Sequence, residues 1–373
     1  MIPLALPSIG KEEMRAALQV LKSSWLTHGE KNVAFEGLVS RYIGTKRAVS
    51  VNSCASALFL TLLAKGIRGE VLVPSFTFVA SVNAIAACGA KPVFVDIEEE
   101  TCNMDPSLVE HLLTRRTEAV MPVHYAGHPC DMKPIMSFAR KHGLFVVEDA
   151  AECLGGECFG RKAGSFGDAG CLSFFPTKNI TSCEGGMVVT NDHALADKVK
   201  ALAGHGIGTT TSERSGKLQS WYRNAIYTGY NFRMSHVHAA IGLEQMKKAE
   251  RLNNRRHTLA ALYNSAFKNI AEIVVPVERL HCKHVYQMYV VRVPAPKRDA
   301  VVAKLNETGI GASVHFDPPV HHQTAYAKVS RGVKLPHTDK VCKEVITLPL
   351  YPSLKNSEAR NVSRALIKAL KTA

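Results

Sequence analysis

Lys178 lies in Ser173-Phe174-Phe175-Pro176-Thr177-Lys178-Asn179, ahead of Cys183-Glu184-Gly185-Gly186-Met187-Val188-Val189. An amine confined between a strand end and a glycine-flanked strand start can act as a nucleophile toward carbonyls. A solvated loop lysine is the other reading of the same residues. Asp149 follows the strand-like Val146-Val147-Glu148 and precedes Ala150-Ala151-Glu152. A carboxylate there could pair with a protonated pyridine nitrogen and keep the ring cationic, or it could be the N-cap of a following helix. Phe78 could stack on a flat heterocycle or belong to the core. The small residues Ser53 to Ala57 open a helix and suit a phosphate held by backbone N–H groups and the helix dipole. Each signal is weak alone.

The elements that must position these groups alternate along the first 200 or so residues. Met14, Leu18 and Leu21 recur at helical spacing, as do Phe35, Leu38, Val39 and Tyr42, so two amphipathic helices are expected. Strand candidates are Ala48–Val51, Val71–Val73, Pro92–Val95, Ala119–Val123, Leu144–Val147 and Gly170–Phe175, with helices near residues 58–63, 79–88, 106–113 and 132–142. Such alternation predicts an α/β domain with a mostly parallel sheet covered by helices on both faces. Ligands of such sheets gather beyond the carboxyl ends of the strands. Asn52–Ser56, Ser75–Phe78, His124-Tyr125, Glu148-Asp149 and Ser173–Lys178 all fall there, which points to one site. After about residue 245 a charged helix over Glu244–Arg256, a strand at Tyr289–Val293 and a basic closing helix predict a smaller α+β domain. The expected division is 1–245 and 246–373.

The chain has 373 residues, 46% hydrophobic and 21% charged, with a formal net charge of +14. That charge is spread in short pairs such as Arg115-Arg116 and Lys247-Lys248, without an arginine-rich arm or zinc-finger spacing, so it suits an anionic small molecule better than nucleic acid. No run of eighteen apolar residues occurs, and the proline-broken opening Met1–Pro7 does not resemble a signal peptide; a cytoplasmic protein with no membrane contact is expected. The ten cysteines form no CxxC pair and are expected to be free. His321-His322 and the loose set His281, Cys282 and His284 do not have the clustering of a zinc site, and no metal is expected.

Taken together, the motifs carry a resemblance. Val147–Ala151, Gly164–Asp168, Ser173–Asn179 and Glu184–Met187 resemble the DegT/StrS-type (DegT/DnrJ/EryC1/StrS) nucleotide-sugar aminotransferases. The likeness continues through Trp25-Leu26-Thr27, Pro74–Phe78, Pro122-Val123-His124, Gly229–Met234, Val314-His315-Phe316 and Leu348–Pro352. It implies the aspartate-aminotransferase-like fold, pyridoxal phosphate as cofactor, L-glutamate and a nucleotide-linked keto-deoxysugar as substrates, and a homodimer with its sites at the subunit interface. On this resemblance the Schiff-base lysine falls on Lys178, the pyridinium partner on Asp149 and the stacking aromatic on Phe78. Phosphate contacts fall on Cys54, Ala55, Ser56 and Ser173, with Asn231 reaching over from the neighbouring subunit. Two positions depart from the family. Cys54-Ala55 stands where Gly-Thr is frequent, and Glu152 where many relatives carry His or Gln. A related branch that dehydrates its substrate has His in place of the lysine; this chain keeps Lys178. Substrate contacts are sought at Trp25, Thr27, His28, Arg223, His315 and in the loop 208–223. A different reaction on the same fold, such as elimination, and a non-enzymatic regulatory binding protein are the remaining alternatives.

Overall fold

The computed structural model describes every residue except 211, 212, 214 and 216–219. In chain order its first half contains α1 (Lys11–Ser23), α2 (Glu30–Ile43), β1 (Arg47–Val51), α3 (Cys54–Lys65), β2 (Glu70–Pro74), α4 (Val79–Ala87), β3 (Lys91–Val95), β4 (Thr117–Val120), α5 (Met132–His142) and β5 (Phe145–Asp149). There follow β6 (Glu157–Cys158), β7 (Arg161–Lys162), β8 (Ala169–Ser173), β9 (Gly186–Thr190), α6 (His193–Ala203), α7 (His236–Met246) and α8 (Ala249–Phe267). The remainder holds β10 (Cys282–Lys283), β11 (Tyr289–Arg292), α9 (Ala295–Glu307), α10 (Pro336–Val341), β12 (Val345–Leu348) and α11 (Asn356–Thr372).

The main sheet has seven strands in the order β1-β9-β8-β5-β4-β2-β3. The pairs from β8 to β3 are parallel, while β9 is antiparallel to both β1 and β8. Because side chains alternate across a pleat, each strand feeds two cores. Val71, Val73 and Val147 pack beneath α3, α4 and α6. Leu72, Val120 and Val146 meet Ile135 and Phe138 of α5 on the other side. Ala48, Leu172, Met187 and Val189 meet Phe35 of α2 and Met246 of α7. Continuous apolar runs such as Val71-Leu72-Val73 follow from burial on both faces.

The later residues build a second core from α8, α9, α11 and the antiparallel pair β11–β12, with Tyr289 opposite Leu348. Arg256 of α8 ties this second unit together from within. Its buried guanidinium donates from Nη1 to the carbonyls of Tyr286, Gln287 and Leu350, and burial lowers its pKa to about 10. The chain start joins this second unit too, because Ile2 N–H donates to Gly309 O and Gly311 N–H donates to Ile2 O.

Three local expectations are corrected. Residues 106–113 contain only a short 3-10 turn, Glu110–Leu112, since Asp105 captures the Ser107 N–H and hydroxyl at 2.8 and 2.7 Å and competes with helix initiation. The charged stretch 244–256 is two helices broken at Lys247-Lys248, where Lys248 Nζ reaches back to Glu13 at 2.7 Å. The helix carrying Met14, Leu18 and Leu21 forms as expected, but these side chains point outward, 58%, 51% and 54% exposed, while Glu13 and Val20 face α7.

Candidate active site

The carboxyl ends of β1, β8 and β5 meet the amino end of β9 along one side of the sheet. Gly186 lies between Val51 of β1 and Ser173 of β8, and Asp149 of β5 pairs with Cys171 of β8. Within this row the loop between β8 and β9 carries Lys178. Phe174 N–H bonds Gly185 O and Ser182 N–H bonds Phe174 O, which closes the loop on itself. Gln287 Nε2 donates to Thr177 O at 3.0 Å, and Asn179 Nδ2 donates to Val285 O at 3.1 Å, so the small unit clamps both neighbours of Lys178.

Lys178 Nζ lies 3.1 Å from Glu152 Oε1, with side chains 17% and 10% exposed. The other oxygen of Glu152 accepts Ala126 N–H at 2.9 Å. The amine is therefore confined, as its place between the strands suggested, but it is paired with a carboxylate.

Asp149 is buried at the end of β5. Its Oδ2 accepts a 2.7 Å bond from Ser81 Oγ, and Oδ1 accepts Ala151 N–H at 3.1 Å. No helix follows it, so the N-cap alternative does not apply; the Ala151 bond closes a local turn. Burial raises its pKa, opposed by the two hydrogen bonds and by the positive charge of Lys178. Among the described residues no cation hydrogen-bonds this carboxylate, and a protonated ring nitrogen would offset the cost of burying its charge.

Ser53 caps α3, with its Oγ accepting Ser56 N–H at 3.1 Å, and Cys54 Sγ stands 4.0 Å from Asp149 Oδ1. The strand β9 presses on this turn. A Cβ on Gly186 would lie 2.2 Å from the Ser53 carbonyl carbon, so only glycine permits the approach. Ser173 is buried beside Gly186, its Oγ facing Phe175 N–H at 3.4 Å. Ala55 is exposed and Ser56 half-buried, leaving the helix N-terminus open toward a phosphate.

Phe78 immediately precedes α4, 62% exposed, with Phe316 6.2 Å from its ring. Ser81, three residues on, links this turn to Asp149. Asn231 is exposed and bridges to Gly204; among the described residues no hydrogen bond joins it to the Lys178 group. His315 is near that group: its pKa is lowered by burial, offset by the negative charge of Glu152, and its Nδ1 is 2.9 Å from Thr347 Oγ1. Trp25 is tied to α7 through its carbonyl and His236 Nδ1, 2.7 Å apart. His28 and Arg223 instead line a separate cavity of about 340 Å³ with Lys200, His205 and Arg233. Thr27 is exposed at the start of this region. Part of the loop 208–223 lies outside the described residues.

Two contributors escaped the sequence reading. Ser81 and Gln287 are ordinary residues until the fold brings them to Asp149 and Thr177, although a serine one turn past Phe78, in a helix whose one other polar residue is Asn83, was a usable signal. Glu148 and His124, which the sequence already placed at strand ends, form a buried pair beneath the site. Glu148 accepts N–H bonds from Gly164, Phe166 and Gly167 and faces His124 Nε2 at 2.9 Å, while His124 Nδ1 accepts Cys130 N–H. The tautomer with the proton on Nε2 is thereby selected.

The profile of the DegT/DnrJ/EryC1/StrS aminotransferase family matches residues 7–367. Spore coat polysaccharide biosynthesis protein SpsC of Bacillus subtilis is 39% identical over 381 residues, covering 100% of this chain and 98% of that protein. Among solved structures, the PLP-form of the putative sugar aminotransferase Spr1654 from Streptococcus pneumoniae superposes with a TM-score of 0.91 at 28% identity, over 100% of this chain and 99% of that one. DesI, solved in the presence of its TDP-sugar product, gives 0.88 at 30% identity, over 100% and 93%.

Proposed function

The chain belongs to the DegT/DnrJ/EryC1/StrS aminotransferase family, and from that premise we propose that it transfers an amino group from L-glutamate to the C3 or C4 ketone of a nucleotide-linked deoxysugar. It is a pyridoxal-phosphate-dependent sugar aminotransferase. The single observation that carries the assignment of the site is Lys178, clamped between two strand ends and paired with Glu152 at 3.1 Å, close enough to the buried Asp149 for its positive charge to act on that carboxylate.

When bound, pyridoxal phosphate supplies an electron sink that makes the hydrogen on the amino-bearing carbon acidic. Lys178 would be the point of covalent attachment and, once released, the base that takes that proton on Nζ and later gives it back. Asp149 holds the ring nitrogen protonated, and Ser81 fixes the carboxylate. Phe78 covers one face of the ring. The α3 turn at Cys54, Ala55 and Ser56, with Ser173, binds the phosphate; backbone N–H groups there replace the hydroxyl that Ala55 lacks. Glu152 holds the amine in position between proton transfers.

We assign the cofactor domain to residues 1–245 and the small domain to 246–373. A cytoplasmic homodimer completes the reading, with Asn231 serving the partner's phosphate. The outward stripe of Met14, Leu18 and Leu21 on α1 supports it, because three large apolar side chains on one helical face favour burial against a second copy. No helix among the described residues is long and apolar enough to cross a membrane.

Two measurements test the reading together. Borohydride reduction followed by peptide mapping is expected to fix the cofactor on Lys178; a label elsewhere, or none, removes the site assignment. A panel of nucleotide-linked 3-keto and 4-keto deoxysugars, incubated with L-glutamate, is expected to yield 2-oxoglutarate and one aminated sugar by NMR. Loss of water from the sugar without 2-oxoglutarate would establish an elimination instead.

A further inference from the structure

Strands β6 and β10 form an antiparallel ribbon in which Cys158 stands directly opposite Cys282. In the next register, Phe159 N–H donates to His281 O at 2.8 Å, whereas Cys282 N–H turns to Arg279 O. Hydrogen-bonded and non-hydrogen-bonded pairs alternate along such a ladder, so Cys158 and Cys282 occupy the non-hydrogen-bonded type. That type brings Cα atoms to roughly 4.5 Å, within the span of roughly 4.4–6.8 Å that a disulfide requires. The two Sγ atoms lie 2.8 Å apart.

We propose that Cys158 and Cys282 form a modification site, joined as a disulfide by exchange with a low-molecular-weight disulfide of the glutathione class. Cys282 is partly exposed and Cys158 buried, which sets the order of events. The Cys282 sulfur, as thiolate, attacks the small disulfide, forming a mixed disulfide and releasing one small thiol. The Cys158 sulfur, having given up its proton, then attacks Cys282 Sγ and expels the second small thiol. Two protein thiols lose two electrons and two protons, and the small disulfide gains them. Burial raises both thiols, Cys282 to about 12, so the first step is slow at neutral pH.

The bond would tie the ribbon that follows Glu152 to the segment feeding Gln287. In that segment Val285 N–H already bonds Gly127 O, and Gln287 N–H bonds Ala126 O. It would join residues 124 apart, a long closure that restricts the unfolded chain.

The test uses the full-length holoenzyme incubated with oxidised glutathione, alkylated, digested without reductant and mapped by mass spectrometry. The exposed Cys183 reacts on its own and is scored separately. We expect the Cys158 and Cys282 peptides to appear joined, and the oxidised enzyme to melt about 5 °C above the dithiothreitol-treated enzyme. Cys282→Ser should abolish both the link and the difference in melting. Recovery of the two peptides separately alkylated, a glutathione adduct persisting on either, linkage to other cysteines, or equal melting of the oxidised and reduced wild type would each overturn the proposal. The wild-type map decides the matter even where the variant does not fold.

Discussion

Glu152 and Lys178 face each other across the site, Oε1 to Nζ at 3.1 Å, with the second carboxylate oxygen occupied by Ala126 N–H. The carboxylate thus belongs both to the turn after β4 and to the amine. Glu152→Gln keeps an acceptor for Ala126 but removes the charge facing the amine. We predict a kcat lowered about tenfold, the size of one charge-assisted contact of ~1.5 kcal/mol, with KM for the sugar nucleotide unchanged. Steady-state kinetics check it, and an unaltered kcat would remove Glu152 from the positioning of Lys178.

Asp149 trades stability for electronics. Burial raises its pKa above the ordinary 3.8, so the folded chain holds this proton more tightly than the unfolded chain does. Its ionisation therefore costs the cofactor-free protein stability as pH rises above 3.8. Asp149→Asn should raise the melting temperature of the cofactor-free protein at pH 7, while slowing single turnover about 100-fold through loss of a charged contact of ~3 kcal/mol. A single-turnover rate that does not move would refute the pyridinium role.

Gly186 has no room for a methyl group, since a Cβ would meet backbone atoms of Ser53 and Cys54 at 2.2 to 2.5 Å. We expect Gly186→Ala to push the α3 turn away from β9, lowering stability by about 1–3 kcal/mol and weakening pyridoxal phosphate binding. Cofactor titration by absorbance, with urea unfolding of the same variant, separates the two effects.

His284 should dominate the acid side of the stability profile. Burial, reinforced by the neighbouring His128, places its pKa well below the ordinary 6.5, and its Nδ1 accepts Tyr286 N–H at 3.0 Å. The unfolded chain takes up this proton below pH 6.5 while the folded chain refuses it, so the stabilisation is complete above pH 6.5 and lost as pH falls from there toward the folded value. Melting temperatures between pH 7.5 and pH 5 should fall, and His284→Asn should flatten part of that slope.

The residues most legible in the sequence were those whose role follows from strand ends. Asp149 after Val146-Val147-Glu148 and Lys178 between β8 and β9 fall where such sheets bind ligands, while their proposed roles rest on the family resemblance as well. Ser81, Gln287 and the pairing of Glu152 with Lys178 depend on contacts between distant segments, which periodicity does not encode. The α1 stripe shows the limit from the other side. Its spacing correctly gave a helix, yet apolar periodicity says only that a face seeks cover and not which chain provides it. At 106–113 and 247–248, side-chain bonds from Asp105 and Lys248 overrode a helical pattern that local composition favoured.

The opening residues span both halves of the molecule. Ile2 is laced to Gly309 and Gly311, Leu350 N–H bonds Leu4 O, and Gln245 Nε2 holds Ser8 O at 2.7 Å. The segment acts as a strap buckled at each end. A hinge motion of the small domain would have to unfasten one buckle or carry residues 2–8 along with it, so shortening the amino terminus should loosen the clamp that Gln287 places on the loop of Lys178.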